Sequence, residues 1–215
     1  MIIKMKKEYA KKIVEILKET YPDATCSLDF STPFEMVVAV MLSAQCTDER
    51  VNLTTPALFK RCPTIQDYAS IDIKELENII HPCGFYKNKA KNIKLCAKQV
   101  LENFNGVVPN NMDDLLTLAG VGRKSANVIL LEVYGIANGI AVDTHAKRIS
   151  NLMGLSKETD PSKIEQDLIK IFPKDSLKYI NHLFVWHGRN TCVARHPKCD
   201  KCTVKQFCKF YQKSL

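Results

Sequence analysis

Apolar residues recur along the chain at three- and four-residue intervals, and no convincing run of strict alternation appears. Near the amino end Tyr9, Ile13, Val14, Ile16 and Leu17 follow helical spacing. PFEMVVAVMLSAQ, opened by Pro33, is almost wholly apolar, which predicts a helix central to a core. Asp48 is placed to cap ERVNLTTPALFKR, within which Pro56 predicts a break or kink. Asp72 is placed to cap IKELENIIH, and NKAKNIKLCAKQVLENF turns Ile93, Cys96, Ala97 and Val100 to one face. GVVPNN reads as a loop and MDDLLTL as a short helix. Helical spacing resumes in DTHAKRISNLMG, PSKIEQDLIKIF and SLKYINHLFVWHG, then fails after Arg189, while GIAV is too short for a strand. The pattern predicts an all-α chain of about ten short helices with short connections.

A length of 215 residues suits one or two domains with a buried core. The net charge of +8 favours an anionic partner, nucleic acid before a membrane surface. No stretch approaches the roughly 20 apolar residues of a membrane span. The first residues, MIIKMKKEYAKKIVEILKETYPD, lack an apolar signal region and a small-residue cleavage site. The expectation is an intracellular protein of the cytoplasm and nucleoid, with no membrane partner. Of nine cysteines, Cys26, Cys46, Cys62, Cys83 and Cys96 are scattered and read as buried thiols in a reducing compartment. The last four crowd together.

AGVGRKSANVIL (119–130) reads as a tight turn at Gly120 and Gly122 followed by a helix. Such a hairpin brings backbone close to a ligand and points the unpaired N–H groups of the second helix outward. That end attracts anions, and a DNA phosphate suits it whatever the base sequence. A purely structural hairpin is the plainer alternative, and the basic charge favours phosphate. Arg123 and Lys124 sit at the positive end of the helix dipole, where cations are disfavoured, and Arg123 is read as a phosphate partner. The setting also disfavours the charged form of an amine, and a neutral amine is a nucleophile able to form a Schiff base with a sugar carbon. For Lys124 the hairpin alone leaves nucleophile and phosphate contact both open. Asp143, in VDTHAKR, lies nineteen residues further on. It is placed as an N-cap, and a carboxylate there also suits activation of the amine or stabilisation of positive charge on a sugar ring. A fainter echo links CGFYKNKAKNI (83–93) to the hairpin: both set a glycine turn and basic residues ahead of a helix containing alanine.

Cys192, Cys199, Cys202 and Cys208 form the spacing C-x6-C-x2-C-x5-C. Four thiolates so close suit a structural zinc or an iron–sulfur cluster, and ligand type does not separate them. Arg195, His196 and Lys198 lie between the first two, as a basic finger for DNA backbone or as a solvated charged loop.

Three motifs in order, LAGVGRKSANVIL, VDTHAKRIS and HGRNTCVARHPKCDKC with its later Cys208, resemble the endonuclease III family of helix-hairpin-helix DNA glycosylase/AP lyases. LSAQCTDERVN (42–52) and GFYKNKAKNI (84–93) also look like family segments, so the likeness covers almost the whole chain. The resemblance implies one four-iron, four-sulfur cluster on the four cysteines. It implies Lys124 as nucleophile, Asp143 as catalytic carboxylate and Gln45 as the residue filling the gap left by an extruded base. Phe85 stands where a wedging leucine is usual, and Cys46 is read as packing. The implied architecture is a six-helix domain, 24–137, carrying the hairpin. A cluster domain is formed by 1–23 with 138–215, and the active site lies in the interdomain cleft. The implied activity, by a monomer on double-stranded DNA, is removal of oxidised pyrimidines such as thymine glycol and cleavage of abasic sites by β-elimination. A monofunctional mismatch glycosylase of the same superfamily and a non-catalytic, zinc-held DNA-binding module are the alternatives.

Overall fold

The computed structural model describes residues 2–213, and the chain forms two units: residues up to Cys26 join those from Ile136 onward, and Ser27–Gly135 form the other. Among the described residues the secondary structure is helical throughout, with no strand, as the spacing predicts. Helix α1 (Ile2–Thr20) opens the first unit. The second contains α2 (Pro33–Leu42), α3 (Asp48–Arg61), α4 (Ile65–Ser70), α5 (Ile73–Ile80), α6 (Tyr86–Phe104), α7 (Met112–Thr117) and α8 (Arg123–Tyr134). The chain then returns to the first unit with α9 (Thr144–Met153), α10 (Pro161–Ile171), α11 (Leu177–Asn190) and the short α12 (Lys209–Gln212). No described helix is long and apolar enough to cross a membrane.

In the Ser27–Gly135 unit, α2 is the central element. Thr32 and Glu35 form a reciprocal capping box at its start, with Pro33 in the first turn. Every residue from Met36 to Leu42 is buried, and the helix packs on α3, α6 and α8. Each fully buried Leu or Met there contributes about 1.5–3 kcal/mol. The helix ends at Leu42, short of the apolar run's end, and the next residues turn away with Gln45 at φ 54°. Helix α3 is capped by Thr47 rather than Asp48, which falls in the first turn, where a carboxylate still suits the dipole. It runs unbroken through Pro56, which lies on the exposed face.

In the other unit, Ile13, Val14 and Leu17 of α1 meet Ile164 and Leu168 of α10 and Ile180, Leu183 and Phe184 of α11. Tyr9 stays partly exposed and lies against Phe207, ring centroids 5.2 Å apart. The segment 140–142 is buried but pairs with no strand. Ile140 N–H donates to the buried Glu165 carboxylate at 3.2 Å, and Asn181 donates to Ala141 O at 2.7 Å. These two bonds fix the approach to Asp143.

Candidate functional site

In the Ser27–Gly135 unit, α2, α3, α4, α5 and α7 each begin under a side-chain cap, from Thr32, Thr47, Thr64, Asp72 and Asn111. Helices α6 and α8 do not: their N-cap residues are Phe85 and Gly122, and no side chain caps either start. First-turn N–H groups left without a cap are the groups that bind anions. These are the two turns linked by the faint sequence echo, and they open on one shallow cavity. Gln45, Phe85, Lys89, Asn92 and Gly120 line it, with Met41, Ala44 and Asn88.

Two of these residues hold costly conformations. Gln45 (φ 54°) and Phe85 (φ 47°) are both left-handed, and neither is a glycine. Phe85 is also 65% exposed, so burial offsets neither its strain nor its hydration. A turn that keeps a large aromatic ring in water at a strained angle suits a residue used on a ligand.

The hairpin turn is held by a side chain the sequence did not single out. Gln99 of α6 accepts from Ala119 N–H at 2.7 Å and donates to Thr117 O at 3.2 Å. Gly120 has φ 78°, and a Cβ there would lie 3.0 Å from Asn92 Cβ. Gly122 has φ −98° with open space where a Cβ would stand, and Arg123 and Lys124 after it are exposed. The two glycines therefore differ. Gly120→Ala is expected to cost about 1–2 kcal/mol and to lower the melting temperature. Gly122→Ala, probed in the same melts, is expected to leave stability nearly unchanged.

In the other unit Asp143 caps α9, its Oδ1 accepting from Ala146 N–H at 2.7 Å, and it is half-buried. His145, two residues on, is pushed down by burial against the opposing pull of Asp143. Arg148 extends from α9 to the cysteine segment. Its guanidinium donates to Cys192 O at 2.7 and 3.1 Å and to Gly188 O at 3.1 Å. Gly188 has no side chain where a Cβ would fall 2.4 Å from His145 Nδ1. Arg148 was not legible as special, since nothing in VDTHAKRIS separates it from Lys147.

Cys192, Cys199, Cys202 and Cys208 line one cavity whose other walls include Ile149, Leu152, Met153 and Val204. Burial pushes Cys192 up to about 11 and lifts Cys199 and Cys202, so these thiols ligate once a metal replaces the proton. Among the described residues no three His, Cys, Asp or Glu converge on a point where a single ion would be held. Four thiols lining one cavity are a donor set that could hold either a structural zinc or an iron–sulfur cluster. His187 lies beside it, buried, with Nε2 3.6 Å from Cys202 Sγ and Nδ1 3.1 Å from Tyr21 Oη. Burial, then Arg148, pushes His187 down to about 4, so it is neutral near pH 7. The finger between the first two cysteines exposes Arg195 and holds His196 at φ 55°. Lys198 is exposed as well, its Nζ donating to Asn190 O at 3.1 Å. Cys62, Cys83 and Cys96 are buried, and Cys26 and Cys46 half-buried.

The family model of the HhH-GPD superfamily of base excision DNA repair proteins matches residues 38–174. Endonuclease III of Synechocystis sp. is 49% identical over 209 residues, 97% of this chain and 95% of the relative. A solved non-covalent endonuclease III–DNA complex is 37% identical and covers 97% of each chain at a TM-score of 0.91. A trapped endonuclease III–DNA covalent intermediate is 38% identical and covers 94% of each chain at a TM-score of 0.88.

Proposed function

Since the chain belongs to the endonuclease III family of bifunctional DNA glycosylase/AP lyases, we propose that Lys124 is its nucleophile and Asp143 the carboxylate that assists it. The near-full-length match to enzymes of that name carries the activity. The exposure of Lys124 at an uncapped helix start supports its role.

The substrate is duplex DNA with an oxidised pyrimidine such as thymine glycol, or an abasic site, and the enzyme acts as a monomer. Backbone phosphates rest on the N–H groups at the starts of α6 and α8, with Gly120 and Gly122 allowing close approach and Arg123, Arg195 and Lys198 adding charge. Extruding the damaged nucleotide costs about a few kcal/mol, least for a weakly stacked lesion. Gln45 and Phe85 occupy the vacated space. The Lys124 amine, as the free base, attacks C1′. The C1′–base bond breaks with its electron pair leaving on the base, which takes up a proton. Asp143 stabilises the positive charge that develops on the sugar. The opened sugar becomes a Schiff base, loss of a C2′ proton expels the 3′ phosphate, and water then releases the lysine. An abasic sugar enters this sequence at Schiff-base formation.

In a duplex with one thymine glycol, base release and a nick 3′ to the lesion are expected in equal amounts. Borohydride is expected to trap a protein–DNA adduct. Base release without nicking or trapping would instead identify a monofunctional glycosylase.

Cys192, Cys199, Cys202 and Cys208 would hold a four-iron, four-sulfur cluster. When bound, its thiolate links cross-brace the basic finger and supply no bond-making at the sugar. Purified protein is expected to contain iron and sulfide, and Cys199→Ser or Cys202→Ser to lose both along with the brown colour and several degrees of melting temperature. Stoichiometric zinc with no sulfide would refute the cluster.

A further inference from the structure

Lys89 is the buried cation of α6, only 7% exposed. Its neighbours Lys87 and Lys91 are exposed, but Lys89 lies one turn before Ile93 on the stripe continued by Cys96, Ala97 and Val100. Its ammonium donates to Leu42 O at 2.8 Å and to Cys83 O at 2.9 Å. Leu42 is the last residue of α2, and Cys83 ends the 3-10 turn His81–Cys83. Both carbonyls are of the kind that helix ends leave without an N–H partner, and a cation suits the negative end of each. Two residues past Cys83 the chain reaches Phe85, and three past Leu42 it reaches Gln45. Both are left-handed and both line the cavity that Lys89 itself lines.

We propose that Lys89 is a positioning residue for the extruded-base state: one ammonium pins the roots of the Gln45 and Phe85 turns, holding both side chains ready for the space a flipped nucleotide leaves. The inference rests on the reading of Gln45 and Phe85 as gap-filling residues. Losing one buried ammonium releases two loops together, so its effect falls on base extrusion rather than on the chemistry at the sugar. Burial lowers Lys89 from the ordinary lysine range, against the opposing pull of the neighbouring Cys46 and Cys83 thiols.

The test uses the full chain and two substrates: an abasic site within a paired duplex, and the same site in a single strand, where nothing has to be extruded. Lys89→Met keeps the length and removes the donors. It is expected to slow cleavage of the paired site about tenfold or more and that of the single strand by less than about threefold. Lys89→Arg keeps the charge and the donors and is expected to restore most of the loss. In a Gln45→Ala/Phe85→Ala background, Lys89→Met is expected to add nothing further. If the double variant lowers the paired-to-unpaired ratio but Lys89→Met lowers both rates equally, the Lys89 proposal fails alone. If the double variant leaves the ratio unchanged, the gap-filling reading fails and takes the proposal with it. Should Lys89→Met not fold, Lys89→Gln, which reaches one carbonyl, decides by the same ratio: a selective loss on the paired site supports the proposal, and an equal loss on both overturns it.

Discussion

Replacing Lys124 with methionine is expected to abolish borohydride trapping and to reduce strand scission at an abasic site by about 10³-fold or more. Methionine matches the length of lysine up to the missing amine, and the site is exposed on the first turn of α8. No buried packing is lost there, so the melting temperature should stay within about a degree or two of wild type. Affinity for DNA should fall far less than activity, because the N–H groups at the start of α8 belong to the backbone and survive the change. One phosphate-contacting cation is worth roughly one unit in the slope of log affinity against log salt. A variant that loses such a unit but still nicks DNA at full rate would leave Lys124 as a phosphate contact only, the second reading the hairpin sequence allows. Loss of scission with the salt slope unchanged identifies the amine as the nucleophile. Lys124→Arg separates the two further: it restores charge and supplies no amine that can form an imine, so it should bind like wild type and remain inactive.

The fold was legible because it is built of amphipathic helices with side-chain caps. Pro33, Asp72 and Asp143 announce their helices by composition alone, and periodicity supplies the buried faces. Helix α4 was not legible by spacing, since Ile65–Ser70 is too short to show a period; its readable signal was the pair Thr64 and Asp67, which form a capping box. Pro56 misled because a proline's effect depends on which face of the helix it occupies, and that is settled by tertiary packing. The residues proposed to carry the chemistry were marked in the sequence where a motif names them, as for Lys124 and the four cysteines. The residues that hold them were not. Gln99 and Arg148 act through backbone carbonyls and amides of distant segments, and no local pattern encodes such partners. Lys89 is the exception: a lysine on the stripe of Ile93, Cys96, Ala97 and Val100 is a burial signal in itself.

Asp143 caps α9 and is proposed to act in the chemistry, and a single substitution can separate the two. Its carboxylate caps α9, accepting from Ala146 N–H at 2.7 Å, and its charge is proposed to stabilise the sugar as the base departs. Asparagine caps a helix about as well as aspartate, so Asp143→Asn should keep the fold within a few tenths of a kcal/mol of wild type. It removes the negative charge, and with it the electrostatic stabilisation of an oxocarbenium-like sugar, a loss of about 10²–10³ in the base-release rate. Asp143→Ala loses the cap as well and should cost a further ~1 kcal/mol in stability. The comparison to make is single-turnover base release and melting temperature for both variants side by side. On a preformed abasic site the glycosidic bond is already gone, so Asp143→Asn should slow trapping there less than it slows base release. Equal loss on both substrates would move the carboxylate from charge stabilisation to activation of the Lys124 amine, because amine attack is the step the two substrates share. Unchanged base release in the asparagine variant would leave Asp143 with the helix cap as its whole function.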